Sequence, residues 1–293
     1  ATRPRLFLID GSSYIFRAFF AIPPLNNSAG LPTNAIFGFI NLLLKLLKQY
    51  KPEYVAIALD AGRETFRNQL FAGYKSSRPE PPAALLPQLP YFRRALDCLN
   101  LPILELRGYE ADDIIATLCN AMAGKDCDIV VVSSDKDLMQ LVTDGIKLLD
   151  SAKDRWIGGA EVHRKFGVSP EKVVQVMALM GDTVDNIPGV RGIGAKTAIA
   201  LIQQFETLEN LFSRLDEVAT LTLRGASRLR KILEDGRDAA FLSRALATVK
   251  RDVPLAVGFA EREWIGFNQQ KLRRLLTELE FTNLITLLDH GRI

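Results

Sequence analysis

Three carboxylates lie unusually close together in YEADDIIAT (109–117). Glu110, Asp112 and Asp113 fall within four positions, where an apolar run begins. Two unit charges about 4 Å apart repel by roughly 4 kcal/mol at an effective dielectric near 20, and a whole domain is stable by only about 5–15 kcal/mol. A helix N-terminus offers about half a positive charge against this repulsion. Bound cations would remove the conflict, so the stretch predicts a metal site.

Further aspartates follow the three runs that predict buried parallel strands. RLFLID, YVAIALD and DIVVVSSD end in Asp10, Asp60 and Asp135. Taken singly, such residues are commonly helix caps or turn formers. In open parallel sheets, however, ligands bind beyond the carboxyl ends of the strands, so we expect the acids to converge there. The predicted metal ligands are Asp10, Asp60, Glu110, Asp112, Asp113, Asp135, Asp137, Asp182 and Asp185.

These ligands are all oxygen donors, which favours Mg²⁺ or Mn²⁺ over zinc or copper. A calcium EF-hand starting at Asp135 is excluded, because Gln140 and Ile146 stand where Gly and Glu are needed. Only His163 and His290 are available for a zinc site or a Ser-His-Asp triad. Nine acids exceed the needs of one ion, so we expect two or more. Paired divalent ions suit hydrolysis of a phosphodiester.

The composition bounds the class of protein. The chain has 293 residues, of which 48% are hydrophobic and 24% charged, with a net charge of +3, a profile typical of soluble globular proteins. Apolar stretches are too short or interrupted to span a bilayer, so we expect no membrane partner. Cys98, Cys119 and Cys127 lack metal spacing and favour a reducing compartment. The missing initial Met suggests trimming or excision. Bacterial cytoplasm is the expected compartment, and a trimmed organellar protein is the alternative.

Alternation of strands and helices predicts an α/β fold with a mainly parallel central sheet flanked by helices. Helical spacing covers 37–50 and 111–124. Residues 61–108 are basic and rich in proline, which predicts an exposed connection that is part loop and part helix. We predict an α/β metal-dependent domain over 1–174, which includes this segment.

From about Ser169 the pattern is helical, with helices expected near 195–205, 225–234, 237–247 and 268–280. We therefore predict a helical domain over 175–293. Ser169 followed by Pro170 predicts an N-cap and a first helical turn.

The stretch IPGVRGIGAKTA (187–198) predicts a glycine hairpin between two helices. It fails as a Walker A loop because Ala195 stands where Lys is required, and it fails as a Rossmann fingerprint because no strand precedes it. Gly192 and Gly194 would let backbone amides approach a phosphate at a helix N-terminus, and Arg191 and Lys196 add positive charge. The alternative is a plain turn between helices.

Three residues in GYKSSRP (73–79) could also contact nucleic acid. Tyr74 could stack on a base, and Lys75 and Arg78 could contact phosphate. Arg17 follows Asp10 by two helical turns and could reach the same edge. The alternative is an ordinary solvated loop.

Five motifs in order closely resemble the 5′ nuclease domain of bacterial DNA polymerase I, a relative of the flap endonucleases. They are LIDGSSYIFRAF, FRNQLFAGYKSSRP, GYEADDIIATL, SSDKDLMQLV and MGDTVDNIPGVRGIGAKTA. The resemblance runs from about residue 5 to residue 288. It implies that the nine acids form the metal site and that Lys75 and Arg78 contact the scissile phosphate from a helical gateway over 61–108.

The resemblance also implies a helix-hairpin-helix at 182–205 that grips duplex DNA and binds a monovalent cation, expected to be K⁺. Arg17 and Arg67 resemble further phosphate contacts. The predicted DNA contacts are Arg17, Arg67, Tyr74, Gly189, Arg191, Gly192, Gly194, Lys196 and Thr197.

The expected activity is a structure-specific 5′ nuclease that acts as a monomer on DNA with a 5′ flap or a 5′ end on duplex, in primer removal and repair. No polymerase domain follows Ile293, so we expect either an excised domain or a free-standing relative, with a polymerase in cis or in trans. The alternatives are a DNA-binding module without turnover, a nuclease for single-stranded RNA, and a phosphatase. The phosphatase needs a second acid where Ser12 stands.

Overall fold

The three apolar runs form neighbouring strands of one sheet in the computed structural model, which describes residues 3–223, 225–256 and 263–293. The strands are β1 (Arg5–Asp10), β2 (Tyr54–Ala58), β3 (Ile103–Leu104), β4 (Asp128–Val132), β5 (Ile146–Asp150) and β6 (Arg155–Ile157). Their order is β3-β2-β1-β4-β5-β6. Only the edge strand β6 pairs antiparallel. The predicted α/β fold class is confirmed.

Helices cover both faces of the sheet and build most of the second half of the chain. They are α1 (Gly11–Ala21), α2 (Asn34–Tyr50), α3 (Phe66–Leu70), α4 (Leu89–Cys98), α5 (Ala111–Met122), α6 (Gly159–Phe166), α7 (Val173–Met180), α8 (Ala195–Phe205), α9 (Leu208–Ser213), α10 (Leu215–Val218), α11 (Ala226–Ala247), α12 (Gln269–Glu278) and α13 (Thr282–Asp289). Short 3₁₀ turns occupy Leu86–Gln88, Asp137–Leu141 and Pro170–Lys172.

The sheet is buried on both faces, which explains why its strands are continuously apolar. Leu6 and Leu8 of β1 face a cluster that includes α5, α7 and α11. Phe7 and Ile9 face a second cluster built around α2 and α4. α2 follows from its sequence: apolar residues recur every three or four positions, and the helix ends at Lys51, which has a φ of 44° and precedes Pro52.

The last two helices pack on the α/β part of the molecule. Leu272, Leu276 and Leu284 are buried in the cluster around α2 and α4. The Trp264 indole donates to the Leu99 carbonyl at 2.9 Å. The predicted assignment of all of 175–293 to one helical unit does not account for this packing.

Two further expectations differ from the structure. The sequence predicts separate helices on either side of Gly236, but α11 runs through it. A Cβ at position 236 would lie 2.5 Å from Val190 Cγ1, so a larger residue would not fit there. The glycine thus permits close packing without breaking the helix. The connection 61–108 is less exposed than predicted, since Phe92 and Leu96 of α4 are buried.

Candidate metal centre and nucleic-acid interface

The carboxyl edge of the parallel sheet brings together the aspartates that follow β1, β2 and β4. Asp10 ends β1 and pairs in register with Ala58 of β2, while β4 pairs with the other side of β1. Asp60 and Asp135 follow β2 and β4 within a few residues. The Asp60 carboxylate accepts from the Ala111 amide at 2.7 Å, which places the start of α5 at the same edge.

A serine that sequence reasoning missed organises this edge. The Ser133 hydroxyl donates to Asp10 Oδ2 at 2.8 Å and accepts from the Asp135 amide at 3.0 Å. The Asp137 amide in turn donates to Asp135 Oδ1 at 2.9 Å. The sequence could have indicated this residue, because Ser133 directly follows β4 at the edge where the acids were expected. These bonds fix the Asp10 carboxylate, residue Asp135 and the backbone of Asp137 relative to one another.

Asp10 is buried close to other acids. Burial raises the pKa of Asp10 to about 7; the Ser13 amide and the Ser133 hydroxyl lower it, and the charges of Asp135 and Asp60 raise it further. The pKa shift therefore reflects both the loss of water and the approach of like charges.

Asp112 shares the same surroundings. Burial raises the pKa of Asp112 well above its ordinary value, and the charges of Asp135, Asp10 and Glu110 raise it further against the opposing charge of Lys75. Residues far apart in the sequence thus lie within electrostatic range of one another. This is the convergence on which the predicted metal site depends.

Asp137 carries the clearest sign of a metal ligand. Burial raises its pKa to about 7, and the charges of Asp135 and Asp185 raise it further. Its Oδ1 atom is buried without a hydrogen-bond partner, alone among the buried side-chain polar atoms of the described residues. Buried polar atoms normally have partners. A carboxylate oxygen in this position fits a bound cation.

Glu110 and Asp113 have a different environment, because a buried arginine compensates both. Arg67 Nη1 donates to Glu110 at 3.1 Å, and the two terminal nitrogens of Arg67 form a fork on Asp113 at 2.8 and 2.7 Å. Asp113 also accepts from the amides of Glu110 and Lys250. The Asp113 side chain is completely buried, and Arg67 is 1% exposed.

Two predictions are therefore corrected. Arg67 was expected to contact phosphate, but its remaining donors bond to the carbonyls of Leu246 and Thr248, so all five of its N–H groups have partners inside the protein. Asp113 was expected to bind metal, but it is the buried counterion of Arg67. Both residues stabilise the site from within instead of facing a substrate.

Tyr74 was expected to stack on a base, and this prediction is also wrong. The residue is 4% exposed and belongs to the main hydrophobic cluster. Its hydroxyl donates to the Glu110 carboxylate at 3.1 Å. Burial raises the pKa of Tyr74, and the negative charge of Glu110 raises it further. Tyr74 does lie beside a predicted metal ligand, but its ring faces the protein interior.

Lys75 and Arg78 lie at the mouth of the site, where the sequence predicts phosphate contacts. Lys75 Nζ lies 2.6 Å from Glu110 and 3.8 Å from Asp185, and Arg78 Nη2 lies 2.5 Å from Asp185. The Lys75 backbone has a φ of 54°, and its amide donates to the Asp185 carbonyl at 2.9 Å. The Asn186 amide side chain donates to the Gly73 carbonyl at 2.6 Å. The basic segment is thus joined to the loop after α7.

That loop carries two of the predicted metal ligands, Asp182 and Asp185. Residues 182–187 form a turn closed by a bridge between Asp182 and Ile187. Lys136 Nζ lies 2.5 Å from Asp182. Burial alone would raise the pKa of Asp182, but hydrogen bonds from Lys136 and the Val184 amide, together with the charge of Lys136, lower it overall.

The acids thus divide into partnered carboxylates, which form salt bridges with Lys or Arg, and unpartnered carboxylates, which form none among the described residues. No three acidic, cysteine or histidine side chains surround a common point as metal ligands within the described part of the chain. No Lys or Arg of the described residues forms a salt bridge with the second group, which comprises Asp10, Asp60, Asp112, Asp135 and Asp137. The oxygen donors of this group, with the partnerless Asp137 Oδ1, fit a hard divalent cation.

The glycine hairpin has the geometry expected of a backbone-binding element. α8 begins at Ala195, as predicted, with Gly194 at its N-cap. Arg191, Gly192 and Lys196 are exposed, and Gly192 has a φ of 92°. Thr197 is half-buried. The first amides of a helix have no partner within the helix, so this N-terminus offers donors to a phosphate.

Gly189 does not belong to the exposed part of the hairpin. It is buried, and its amide donates to the Ser243 hydroxyl at 2.8 Å. A Cβ there would lie 2.5 Å from the Gly181 nitrogen. The prediction that Gly189 contacts DNA is therefore wrong, because this glycine permits close packing of the hairpin backbone.

Arg17 does reach the carboxyl edge of the sheet. Its Nη2 atom lies 3.3 Å from Asp150, a buried acid that ends β5 and that sequence reasoning missed. The Arg17 side chain remains 23% exposed, so one face of it is open to a ligand.

No helix of the described residues has the length and apolar character needed to cross a membrane.

Two family matches together cover most of the chain. Residues 5–167 match the family described as "5'-3' exonuclease, N-terminal resolvase-like domain", and residues 168–270 match "5'-3' exonuclease, C-terminal SAM fold". The chain belongs to the 5′–3′ exonuclease family. The resemblance inferred from the five motifs is confirmed. The division at 174/175 stays a prediction.

Relatives of this 5′–3′ exonuclease chain are of two lengths. DNA polymerase I of Pseudomonas aeruginosa is 45% identical over 280 residues, which cover 95% of this chain and 31% of that protein. A protein named 5'-3' exonuclease from Aquifex aeolicus is 35% identical over 284 residues, which cover 97% of this chain and 95% of that protein. The chain therefore spans about a third of the polymerase relatives that it matches.

Solved structures share the fold of this family member at low sequence identity. T5 D15 protein co-crystallised with metal ions has a TM-score of 0.69 and 23% identity, covering 94% of this chain and 98% of that one. The catalytic core of Rad2 in complex with DNA substrate has a TM-score of 0.62 and 16% identity, covering 97% and 91%. These likenesses establish the fold.

Proposed function

We propose that this 5′–3′ exonuclease family member is a divalent-metal-dependent, structure-specific 5′ nuclease that cuts DNA at 5′ flaps and at 5′ ends on duplex. The observation that carries the proposal is the group of buried and half-buried aspartates at the carboxyl edge of the sheet, whose pKa values burial and mutual charge raise. Asp10, Asp112, Asp135 and Asp137 would hold the ions, with Asp60 at the rim.

Mg²⁺ or Mn²⁺ ions, two or more, would supply Lewis-acid stabilisation of the phosphate and a more acidic attacking water. The oxygen donor set supports this choice. The T5 relative crystallised with metal ions supports divalent metal use. K⁺ bound at the hairpin would stabilise the turn where it contacts a DNA phosphate.

Substrate contacts would come from three basic sites whose side chains are exposed or partly exposed. Lys75 and Arg78 would transfer their contacts from Glu110 and Asp185 to the scissile phosphate, which they reach from the mouth of the site. Arg17 would bind a neighbouring phosphate. The hairpin residues Arg191 and Lys196 would grip the duplex backbone without reading bases. The products would carry a 5′-phosphate and a 3′-hydroxyl.

The polymerase relatives support a role in primer removal and repair, with a polymerase domain acting in cis or in trans. The Rad2 core crystallised with DNA substrate supports a DNA ligand. We propose that the protein acts as a monomer in the bacterial cytoplasm.

An end-labelled 5′-flap DNA tests the proposal. The label should be released in Mg²⁺ and Mn²⁺ but not in chelator, and a Ca²⁺ arm shows whether binding separates from cutting. Asp135→Asn should abolish cutting while it largely preserves DNA affinity. A flap that stays intact with Mg²⁺ and saturating protein would refute the proposed nuclease.

A further inference from the structure

One short segment contacts two elements that carry predicted metal ligands, and also the helix that carries Arg67. We call residues 246–253, the last two residues of α11 and the segment after it, the strap. It bonds to side chains of α3, α5 and the 3₁₀ turn Asp137–Leu141. The last carbonyls of a helix have no partner within it, and residues 248–253 form neither helix nor strand, so these backbone groups can serve the side chains.

Arg67 connects the strap to α5. Its Nε donates to the Leu246 carbonyl at 2.8 Å and its Nη2 to the Thr248 carbonyl at 3.0 Å. The remaining donors of the same planar guanidinium hold Glu110 and Asp113. One rigid group therefore fixes the start of α5, next to Asp112, relative to the strap.

Gln140 makes the matching connection to the turn that carries Asp137. Its Nε2 donates to the Asp137 carbonyl at 2.8 Å and to the Ala247 carbonyl at 3.0 Å. Its Oε1 accepts from the Val249 amide at 3.1 Å. Gln140 is 6% exposed, so no water competes freely for these bonds. The partnerless oxygen of Asp137 thus lies on a turn anchored by the strap.

The other end of this connection lies at the hairpin. α11 leads directly into the strap, and its Ser243 hydroxyl accepts from the Gly189 amide at 2.8 Å. Gly236 of the same helix packs closely on Val190. The helix that supports the hairpin therefore continues into the strap that supports the acids.

We propose that Arg67 and Gln140 are positioning residues that set the spacing of the metal-binding aspartates by tying α5 and the Asp137 turn to the strap. The inference rests on the proposed metal-dependent nuclease. Neither residue touches substrate. Groups that orient metal ligands typically change metal affinity or activity by about 10- to 100-fold when replaced.

The test compares three variants of the full chain. Arg67→Lys keeps the buried charge but loses the fork, and Gln140→Leu removes the three bonds to the turn and the strap. The matched control is Thr117→Val, because the Thr117 hydroxyl bonds to Lys250 and Val253 of the strap but touches no carboxylate. Thermal unfolding is recorded for all three, so that loss of stability is separated from loss of positioning.

Mn²⁺ affinity without DNA, by calorimetry, is the first readout, and kcat and KM on a 5′-flap DNA are the second. Both positioning variants should bind Mn²⁺ about 10- to 100-fold more weakly and lose kcat to a similar degree, with KM and flap affinity in Ca²⁺ unchanged. Thr117→Val should match the parent in all of these despite a lower melting temperature.

Equal Mn²⁺ affinity and kcat for Gln140→Leu and Thr117→Val would overturn the positioning role and leave the nuclease intact. If Arg67→Lys does not fold, Gln140→Leu decides the result alone. If the parent protein neither binds Mn²⁺ nor cleaves the flap, the proposed function fails first, and the positioning role fails with it.

Discussion

The carboxylates around Arg67 and those around Asp10 lie at one sheet edge but differ in what surrounds them. Glu110 and Asp113 accept hydrogen bonds from a buried guanidinium, and every donor of Arg67 is used. Asp10 is also buried and Asp137 is half-buried, but both have only hydroxyl or amide donors nearby, or none. The charges of Glu110 and Asp113 are thus compensated by the protein itself, whereas those of Asp10 and Asp137 are not.

The difference teaches that an acidic cluster can serve two purposes. A buried charge with a forked partner holds the fold together, because removing either partner leaves an uncompensated charge. A buried charge without a partner lowers stability until something outside the chain compensates it. The first group therefore shapes the site and the second is available to bind ions.

The largest expected effect separates the unpartnered acids from ordinary surface acids. Asp135→Asn should lower kcat on a 5′-flap DNA by about 10³-fold, because a metal ion contributes several kcal/mol of transition-state stabilisation. Asp144→Asn, an exposed acid away from the edge, is the control and should leave kcat unchanged. Similar rates for the two variants would contradict a metal site at this edge.

Stability should change in opposite directions in the two groups. Asp113→Ala leaves the buried Arg67 guanidinium without its forked partner, and it should lower the free energy of unfolding in urea by about 3–5 kcal/mol. Asp137→Asn removes an uncompensated charge and should leave metal-free stability equal or higher. If both variants lose stability to the same extent, the division between the groups is wrong.

The pH dependence of the metal-free protein should reveal the unpartnered group. The pKa values of Asp10 and Asp137 are raised from 3.8 to about 7, so the folded state binds protons more tightly than the unfolded state between those values. Stability in chelator should therefore fall as pH rises from about 4 to about 7 and then level off. Melting temperature against pH measures this, and the double variant Asp10→Asn, Asp137→Asn should flatten the curve.

Tyr74→Phe tests the inward role of this side chain. Loss of the hydroxyl that donates to Glu110 should cost about 1.5–3 kcal/mol of stability, the range for hydrogen bonds to charged groups. DNA affinity in Ca²⁺ should not change. A half-buried tyrosine, Tyr109, supplies the control Tyr109→Phe, which should have little effect on stability.

The smallest effect is expected at the hairpin. Lys196→Ala should weaken duplex binding for all sequences alike and reduce the salt slope of log K by about 1, because one phosphate contact is lost. Lys45→Ala on α2 is a matched exposed lysine and should leave the slope unchanged. An unchanged slope for Lys196→Ala would remove the hairpin from the DNA interface.

Much of the fold followed from local pattern. The strand at 5–10 and the helix at 195–205 have the predicted bounds, because apolar runs and glycine stops are local signals. The two-residue strand β3 and the antiparallel β6 went unpredicted, since such short segments carry no period of their own. Gly236 was misread as a break because its close neighbour, Val190, is distant in sequence.

The sequence by itself determined which elements form and that acids follow the parallel strands, because periodicity and the residue after a strand depend only on neighbouring positions in the chain. Only the tertiary structure decided which acids are compensated. Whether Arg67, Tyr74 and Gly189 face inward or outward depends on packing against α5 and α11, which lie far from them in sequence. A side chain's charge is a local property, but its partner and its exposure belong to the folded chain.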